Sequence, residues 1–86
     1  MDKLWYLYIL ECGDGSLYTG ITDDVQKRLS AHNSGKGAKY TRGRRPLVVR
    51  YSEECTSHSA ALRREIEVKR MTRTEKLALI DKSAAK

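Results

Sequence analysis

The sequence predicts a small α/β (α+β) domain in which a three-stranded antiparallel sheet is flanked by helices, with the element order ββαβαα. Three observations predict it. Two short runs rich in aromatic and β-branched residues, Trp5 to Glu11 and Leu17 to Thr22, stand on either side of a glycine turn. Two later stretches, opening near Val25 and near Ala61, carry apolar residues at helical spacing. At 86 residues the chain has material for one core. One domain is therefore expected over residues 1–82, with 83–86 as a frayed tail.

The first strand, Trp5 to Glu11, stops at Cys12-Gly13-Asp14-Gly15, a strong turn signal. Leu17 to Thr22 follows at once, so the two form an antiparallel hairpin. A three-residue loop with Gly15 in the left-handed conformation suits these residues, and it pairs Leu10 with Tyr18 and Tyr8 with Gly20. In that register Tyr8 and Tyr18 project from the same face as diagonal neighbours, whereas a two-residue loop would put them on opposite faces. Asp23, with Gln26 three residues on, caps a first helix that carries Val25 and Leu29 and ends at Asn33-Ser34-Gly35. Lys36 to Arg45 is basic and glycine-rich without apolar periodicity, and reads as a flexible loop. Leu47 to Tyr51 is the third strand, with Glu53 and Glu54 assigned to the turn beyond it. Ser57 or Ser59 starts a second helix that reaches about Met71, and Thr72 or Thr74 opens a short third helix with Leu77, Leu79 and Ile80. The helices are expected to cover the sheet mainly on one side.

Lys and Arg number 17 against 11 Asp and Glu, a formal net charge of +6. That balance favours polyanionic partners, because each Lys or Arg set on a phosphate releases condensed counterions; charge alone does not decide the matter. Cys12 and Cys55 are too few and too far apart for a zinc motif and read as reduced, partly buried thiols, a disulfide being open only if their strands are neighbours. The longest apolar run, Leu4 to Leu10, falls far short of the roughly 20 residues that cross a bilayer and is too strand-like for a signal peptide. No membrane partner is expected, and the location is expected to be cytoplasmic. Gly15 to Gly20 has phosphate-loop spacing, but Ile21 stands where that loop requires Lys. No Ser-His-Asp or Cys-His set has supporting context.

Polar residues interrupt both helical stripes. At about 100° per residue, Val25, Leu29 and His32 share a narrow arc with Arg28 beside it. On the second helix Ala61, Leu62, Ile66 and Val68 define the apolar side, with Glu65 in its middle and His58 and Lys69 close by, while Arg63, Arg64, Glu67 and Arg70 face away. A carboxylate directed inward needs a partner. Singly, each residue has a plain structural reading. Glu65 can pair with Lys69 or Arg28, Arg28 can lay its stem on the core with its head in water, His32 can be a helix-end residue, and the two tyrosines half-buried strand aromatics. Their convergence on one sheet face singles them out.

This set of residues resembles the GIY-YIG nuclease superfamily, named for two strand motifs that open the domain. The first motif here reads Tyr6-Leu7-Tyr8, where only the final Tyr matches, and the second reads Tyr18-Thr19-Gly20. The spacing from Tyr8 to Tyr18 fits, as do Arg28 after Gly20, His32 one helical turn later, and Asn33. Glu65 matches the family's metal-binding glutamate. The resemblance runs from Trp5 to about Ile80 and is nearest to the small stand-alone bacterial members, which share Tyr18-Thr19-Gly20-Ile21-Thr22 and Lys39-Tyr40-Thr41. The chain departs from the pattern in Tyr6, which replaces a Gly, and in having no Asn after Glu65.

The resemblance implies a metal-dependent endonuclease that hydrolyses phosphodiester bonds of nucleic acid, DNA in preference to RNA, without a small-molecule cofactor; the oligomeric state is left open, with a monomer as the default. The implied catalytic set is Tyr8, Tyr18, Arg28, His32 and Glu65. In it Tyr8 takes a proton from the attacking water and Tyr18 positions that water. Arg28 favours the phenolate and contacts the phosphate, and Glu65 holds one Mg²⁺ whose other ligands are waters and phosphate oxygens. His32 and Tyr40 would hydrogen-bond to phosphate or water. Lys36, Lys39, Tyr40, Arg42, Arg44 and Arg45 would track the nucleic-acid backbone, or else form a solvated, mobile loop. A lone domain is expected to prefer a branch or single-stranded stretch over a sequence. Two other readings stay open: a non-catalytic module that binds structured DNA or RNA on this fold, and a protein-interaction domain with a vestigial site.

Overall fold

The computed structural model describes residues 4–84. They form β1 (Trp5–Glu11), β2 (Leu17–Thr22), α1 (Val25–Asn33), β3 (Val48–Cys55), α2 (His58–Lys69) and α3 (Arg73–Ala84), with one 3₁₀ turn at Lys39–Thr41. The order is ββαβαα, as the sequence predicts. Of the tail expected over 83–86, Ser83 and Ala84 belong to the last turn of α3; Ala85 and Lys86 lie outside the described residues. No helix among the described residues is long and apolar enough to cross a membrane.

The sheet is antiparallel with strand order β2-β1-β3. Tyr8 stands opposite Gly20 and Leu10 opposite Tyr18, because the turn closes a three-residue loop. The Cys12 N–H donates to the Ser16 carbonyl at 2.8 Å, the Gly15 N–H donates to the Cys12 carbonyl at 2.9 Å, and Gly15 takes φ 85°.

β1 is the central strand, and Leu7, Tyr8, Ile9 and Leu10 are all buried. Its two faces enter different cores. Leu7 and Ile9 pack with Cys55, Ala61 and Val68 beneath α2 and α3, whereas Tyr8 and Leu10 pack with Cys12, Leu47 and Leu29 on the side of α1. The expectation that helices cover mainly one side is thus corrected. An unbroken apolar run in a strand means burial on both faces. Cys12 and Cys55 fall in opposite cores and are free thiols, so the disulfide option closes.

β3 is longer than the sequence reading, extending through Glu53 and Glu54, which lie opposite Leu7 and Tyr6. The acidic pair is tolerated because Glu53 has partners. Arg64 Nε donates to Glu53 Oε2 at 2.9 Å, and the Tyr51 hydroxyl donates to Oε1 at 2.5 Å. That clamp also rotates α2. Arg64 turns inward to meet β3, and Leu62 and Ile66, expected in the core, are 41% and 53% exposed. Ala61 and Val68 are the residues of α2 that are fully buried. A bulge at Arg50 shifts the β1–β3 register between Ile9 and Leu10.

The α1 cap is Asp24, not Asp23. Asp24 Oδ1 accepts the Lys27 N–H at 3.0 Å, and the Thr22 hydroxyl oxygen accepts the Asp24 N–H at 3.1 Å, which selects between the two aspartates. Asp24→Ala is expected to remove about 1 kcal/mol of stability. Thermal denaturation should show this as a loss of about 4–8 °C in Tm for a domain of this size.

Candidate active site

Tyr8 and Tyr18 project from the α1 side of the hairpin with ring centroids 6.4 Å apart. The Tyr8 ring lies over its cross-strand partner. A Cβ built on Gly20 would stand 2.6 Å from Tyr8 Oη and 2.8 Å from Cζ, so the glycine of the second motif makes room for the phenol.

His32, in the last turn of α1, is fully buried. Its Nε2 lies 3.0 Å from Tyr8 Oη, and its Nδ1 lies 2.9 Å from Thr41 Oγ1 and accepts the Ala38 N–H at 3.3 Å. Both of its nitrogens are thus engaged inside the protein rather than open to phosphate or water.

The segment between α1 and β3 is likewise no flexible loop. It folds back over His32 through the 3₁₀ turn, which buries Thr41 and lets the Thr41 hydroxyl donate to the Ala38 carbonyl at 2.8 Å. Gly37 rests on the imidazole so closely that a Cβ there would overlap Nδ1. The Asn33 carboxamide clasps the Leu47 backbone, accepting its N–H at 3.1 Å and donating to its carbonyl at 3.3 Å. Arg45 donates to the Asn33 carbonyl at 2.8 Å, and Arg44 pairs with Asp14 in the hairpin turn at 2.6 Å. Two of the three arginines expected on phosphate thus already serve the fold, while Lys36, Lys39 and Arg42 are exposed.

Tyr40 stacks on Tyr18 with centroids 5.8 Å apart and carries the Arg44 guanidinium 4.3 Å from its ring centre. Tyr18 in turn meets the edge of His32 at 5.4 Å. The three tyrosines and His32 form one aromatic cluster, with Tyr40 at its exposed end.

Burial is the main influence on the Tyr8 phenol and pushes its pKa up; hydrogen bonding from Arg28 pulls it down, and the neighbouring Tyr18 and Glu65 push it up further. Burial, and then the positive charge of Arg28, hold the His32 pKa below its ordinary value, which keeps the ring neutral. Arg28 and Glu65 are both close enough for the Tyr8 oxygen to feel their charges. Glu65 is 20% exposed, and its Oε2 lies 3.3 Å from Lys69 Nζ. Of its two sequence-level partners, Lys69 is the one it pairs with. His32 touches the Tyr8 phenol, and Tyr18 and Arg28 act on it, whereas Glu65, on the helix that packs against the opposite face of the sheet, reaches it through its charge.

Thr41 and Ala38, which meet His32 Nδ1, escape sequence reasoning. A lone Thr in a polar, aperiodic stretch carries no signal apart from its place in the Lys39-Tyr40-Thr41 run.

Among the described residues no three His, Cys, Asp or Glu side chains gather to make a metal cage. A thiolate- or imidazole-loving ion therefore does not fit. A hard cation that keeps most of its waters and takes a single carboxylate does fit Glu65.

The model of the GIY-YIG catalytic domain matches residues 4–78. A UPF0213 protein of Streptococcus sanguinis is 56% identical over 80 residues, covering 93% of this chain and 92% of its own. A UPF0213 protein of the archaeon Halobacterium salinarum is 51% identical over 74 residues, covering 86% and 96%. Two solution NMR structures share the fold. The UPF0213 protein of Bacillus halodurans has a TM-score of 0.59 at 50% identity, covering 91% of this chain and 83% of that one. A protein of E. faecalis has a TM-score of 0.67 at 39% identity, covering 99% and 91%. With the match spanning both strand motifs, α1 and the helix of Glu65, this chain belongs to the GIY-YIG domain family, among its small UPF0213 members.

Proposed function

We propose that the protein is a Mg²⁺-dependent endonuclease that cuts structured or single-stranded DNA. The observation that carries this reading is the environment of the Tyr8 oxygen. His32 Nε2 lies 3.0 Å from it, Arg28 interacts with it, and the Glu65 carboxylate lies within range of its charge. A phenol beside an imidazole and a cation is equipped to become a phenolate, and a phenolate can take a proton from water.

The protein at rest holds this base in its protonated form. Burial and the Glu65 charge both oppose the phenolate. Mg²⁺, when bound, supplies charge stabilisation to the phosphoryl and leaving oxygens. Neutralising Glu65 also removes one of the three influences that hold the Tyr8 proton in place, so Arg28 and His32 then favour ionisation. Tyr18, stacked with Tyr40 and 6.4 Å from Tyr8 between ring centroids, orients the water. Arg28 divides its charge between the phenolate and the scissile phosphate. Lys36, Lys39 and Arg42 supply exposed positive charge to neighbouring phosphates.

The test offers flap, single-stranded and linear duplex oligonucleotides to the purified protein with Mg²⁺. Cleavage is expected on the flap or the single strand ahead of the linear duplex. Glu65→Ala should lower the rate by about 10²-fold or more while binding in EDTA survives. If no substrate is cut and binding is nevertheless salt-dependent, the fold serves as a binding module instead.

A further inference from the structure

β2 is an edge strand, and along it lies a groove of about 400 Å³ lined by Leu17, Tyr18, Thr19, Tyr40, Lys69 and Lys76. Two features separate it from an ordinary surface crease. Thr19 is 3% exposed, yet its Oγ1 has no hydrogen-bond partner among the described residues. Buried hydroxyls nearly always have one, so an unpaired one marks a position where a partner is missing. Lys76, of a residue type that normally stands in water, is half-buried here on α3.

The polar groups of this lining point to one kind of ligand. Two ammonium groups, two phenols and an unpaired hydroxyl can all donate, and no carboxylate lines the groove. Such a set accepts an anion rich in acceptor oxygens. The groove also adjoins the candidate active site on two sides. Tyr18 belongs to both, and Lys69 is the residue that pairs with Glu65 at 3.3 Å.

We propose that this groove is a second phosphate subsite, which holds a non-scissile backbone phosphate of the strand whose neighbouring phosphate lies at Tyr8. Lys76 and Lys69 bind its oxygens and the Thr19 hydroxyl, by rotating about χ1, donates the third contact. The inference rests on the nuclease reading above and deepens it by fixing the path of the strand across the edge of β2. It also gives Lys69 two alternative partners. A cation that occupies Glu65 releases the Lys69 ammonium to the groove, so metal and strand each favour binding of the other.

Fluorescence anisotropy of an end-labelled single-stranded DNA oligonucleotide, in EDTA and over a salt series, tests the subsite with the intact chain. Lys76→Ala is expected to weaken binding roughly 3- to 10-fold and to lower the slope of log K against log salt by about 0.7–1. Lys76→Arg should retain both affinity and slope. Thr19→Val, a change of similar shape, should weaken binding by about twofold or more while raising Tm, since it deletes an unpaired buried hydroxyl. A purely structural Thr19 would move only the Tm, and that result would overturn its part in the subsite. Equal affinity and equal slope for the wild type and Lys76→Ala would overturn the subsite and leave the nuclease reading standing. A wild-type protein that binds no oligonucleotide at low salt would overturn both.

Discussion

Gly20→Ala is expected to abolish cleavage and to destabilise the fold in one step. The added methyl would meet Tyr8 Oη at 2.6 Å and Cζ at 2.8 Å, both well inside van der Waals contact. Gly20 itself cannot retreat, since it is buried and paired to Tyr8 across the central ladder. The ring of Tyr8 must move instead, and its hydroxyl then leaves His32 Nε2. Overpacking of this kind destabilises by about 1–3 kcal/mol, offset in part by the roughly 0.5–1 kcal/mol that Ala gains over Gly in a strand. The catalytic loss should be larger, because a displacement of about 1 Å at a reacting group can remove 10²-fold of rate. Tyr8→Phe separates the two effects. Without the hydroxyl the shortest contact disappears, so adding Gly20→Ala should cost less stability in the Tyr8→Phe protein than in the wild type, a coupling that a double-mutant cycle reads directly. Wild-type cleavage by Gly20→Ala would show that the chemistry does not need the Tyr8 oxygen where it stands.

This glycine illustrates how the sequence conveys the site. The hairpin register, and with it the pairing of Tyr8 with Gly20 and the shared face of Tyr8 and Tyr18, follows from turn chemistry held within a few residues, and the structure reproduces it. Arg28 and His32 follow from the helical period in the same way. What the sequence conceals depends on contacts between distant segments. Glu53 reads as a turn residue until Arg64, on another element, provides its counter-charge. The same pairing turns α2 so that Leu62 and Ile66 face outward, which no period within that helix reveals. Asp23 and Asp24 are equally good caps on paper, and the Thr22 hydroxyl decides between them. The basic loop has no internal pattern because its order comes from outside itself, from the His32 ring that Gly37, Ala38 and Thr41 enclose. His32 in turn reads as a helix-end residue until that loop buries it.

His32 supports the fold and, on the proposed mechanism, the chemistry, and its substitution should have the largest effect on stability. The ring is fully buried and satisfied by Tyr8, Thr41 and Ala38. His32→Ala removes a large core side chain and leaves buried polar groups without their partner, a loss of about 3–5 kcal/mol. A domain this small has a total stability on the order of 5–10 kcal/mol, so the variant should melt far below the wild type or fail to fold. A milder substitution, His32→Gln, keeps hydrogen-bonding capacity and permits a test by pH. In the folded protein burial and Arg28 depress the His32 pKa, whereas in the unfolded chain the group titrates near its ordinary value of about 6.5. Between those two values the unfolded state binds a proton that the folded state refuses. The stability contributed by neutral His32 is thus complete above about pH 6.5 and is lost as the pH falls through the folded pKa. Urea titrations at a series of pH values between about 5 and 8 should show this acid limb in the wild type and a shallower one in His32→Gln. Cleavage should follow a second dependence, rising with pH as Tyr8 approaches its raised pKa, because only the phenolate accepts the proton of water. Protonation of His32 would place a hydrogen on both ring nitrogens, including the one that faces the Ala38 N–H, so acid should loosen the loop and the site together. An acid limb that is identical in His32→Gln would assign the pH dependence to other groups and remove the neutral His32 ring from the explanation.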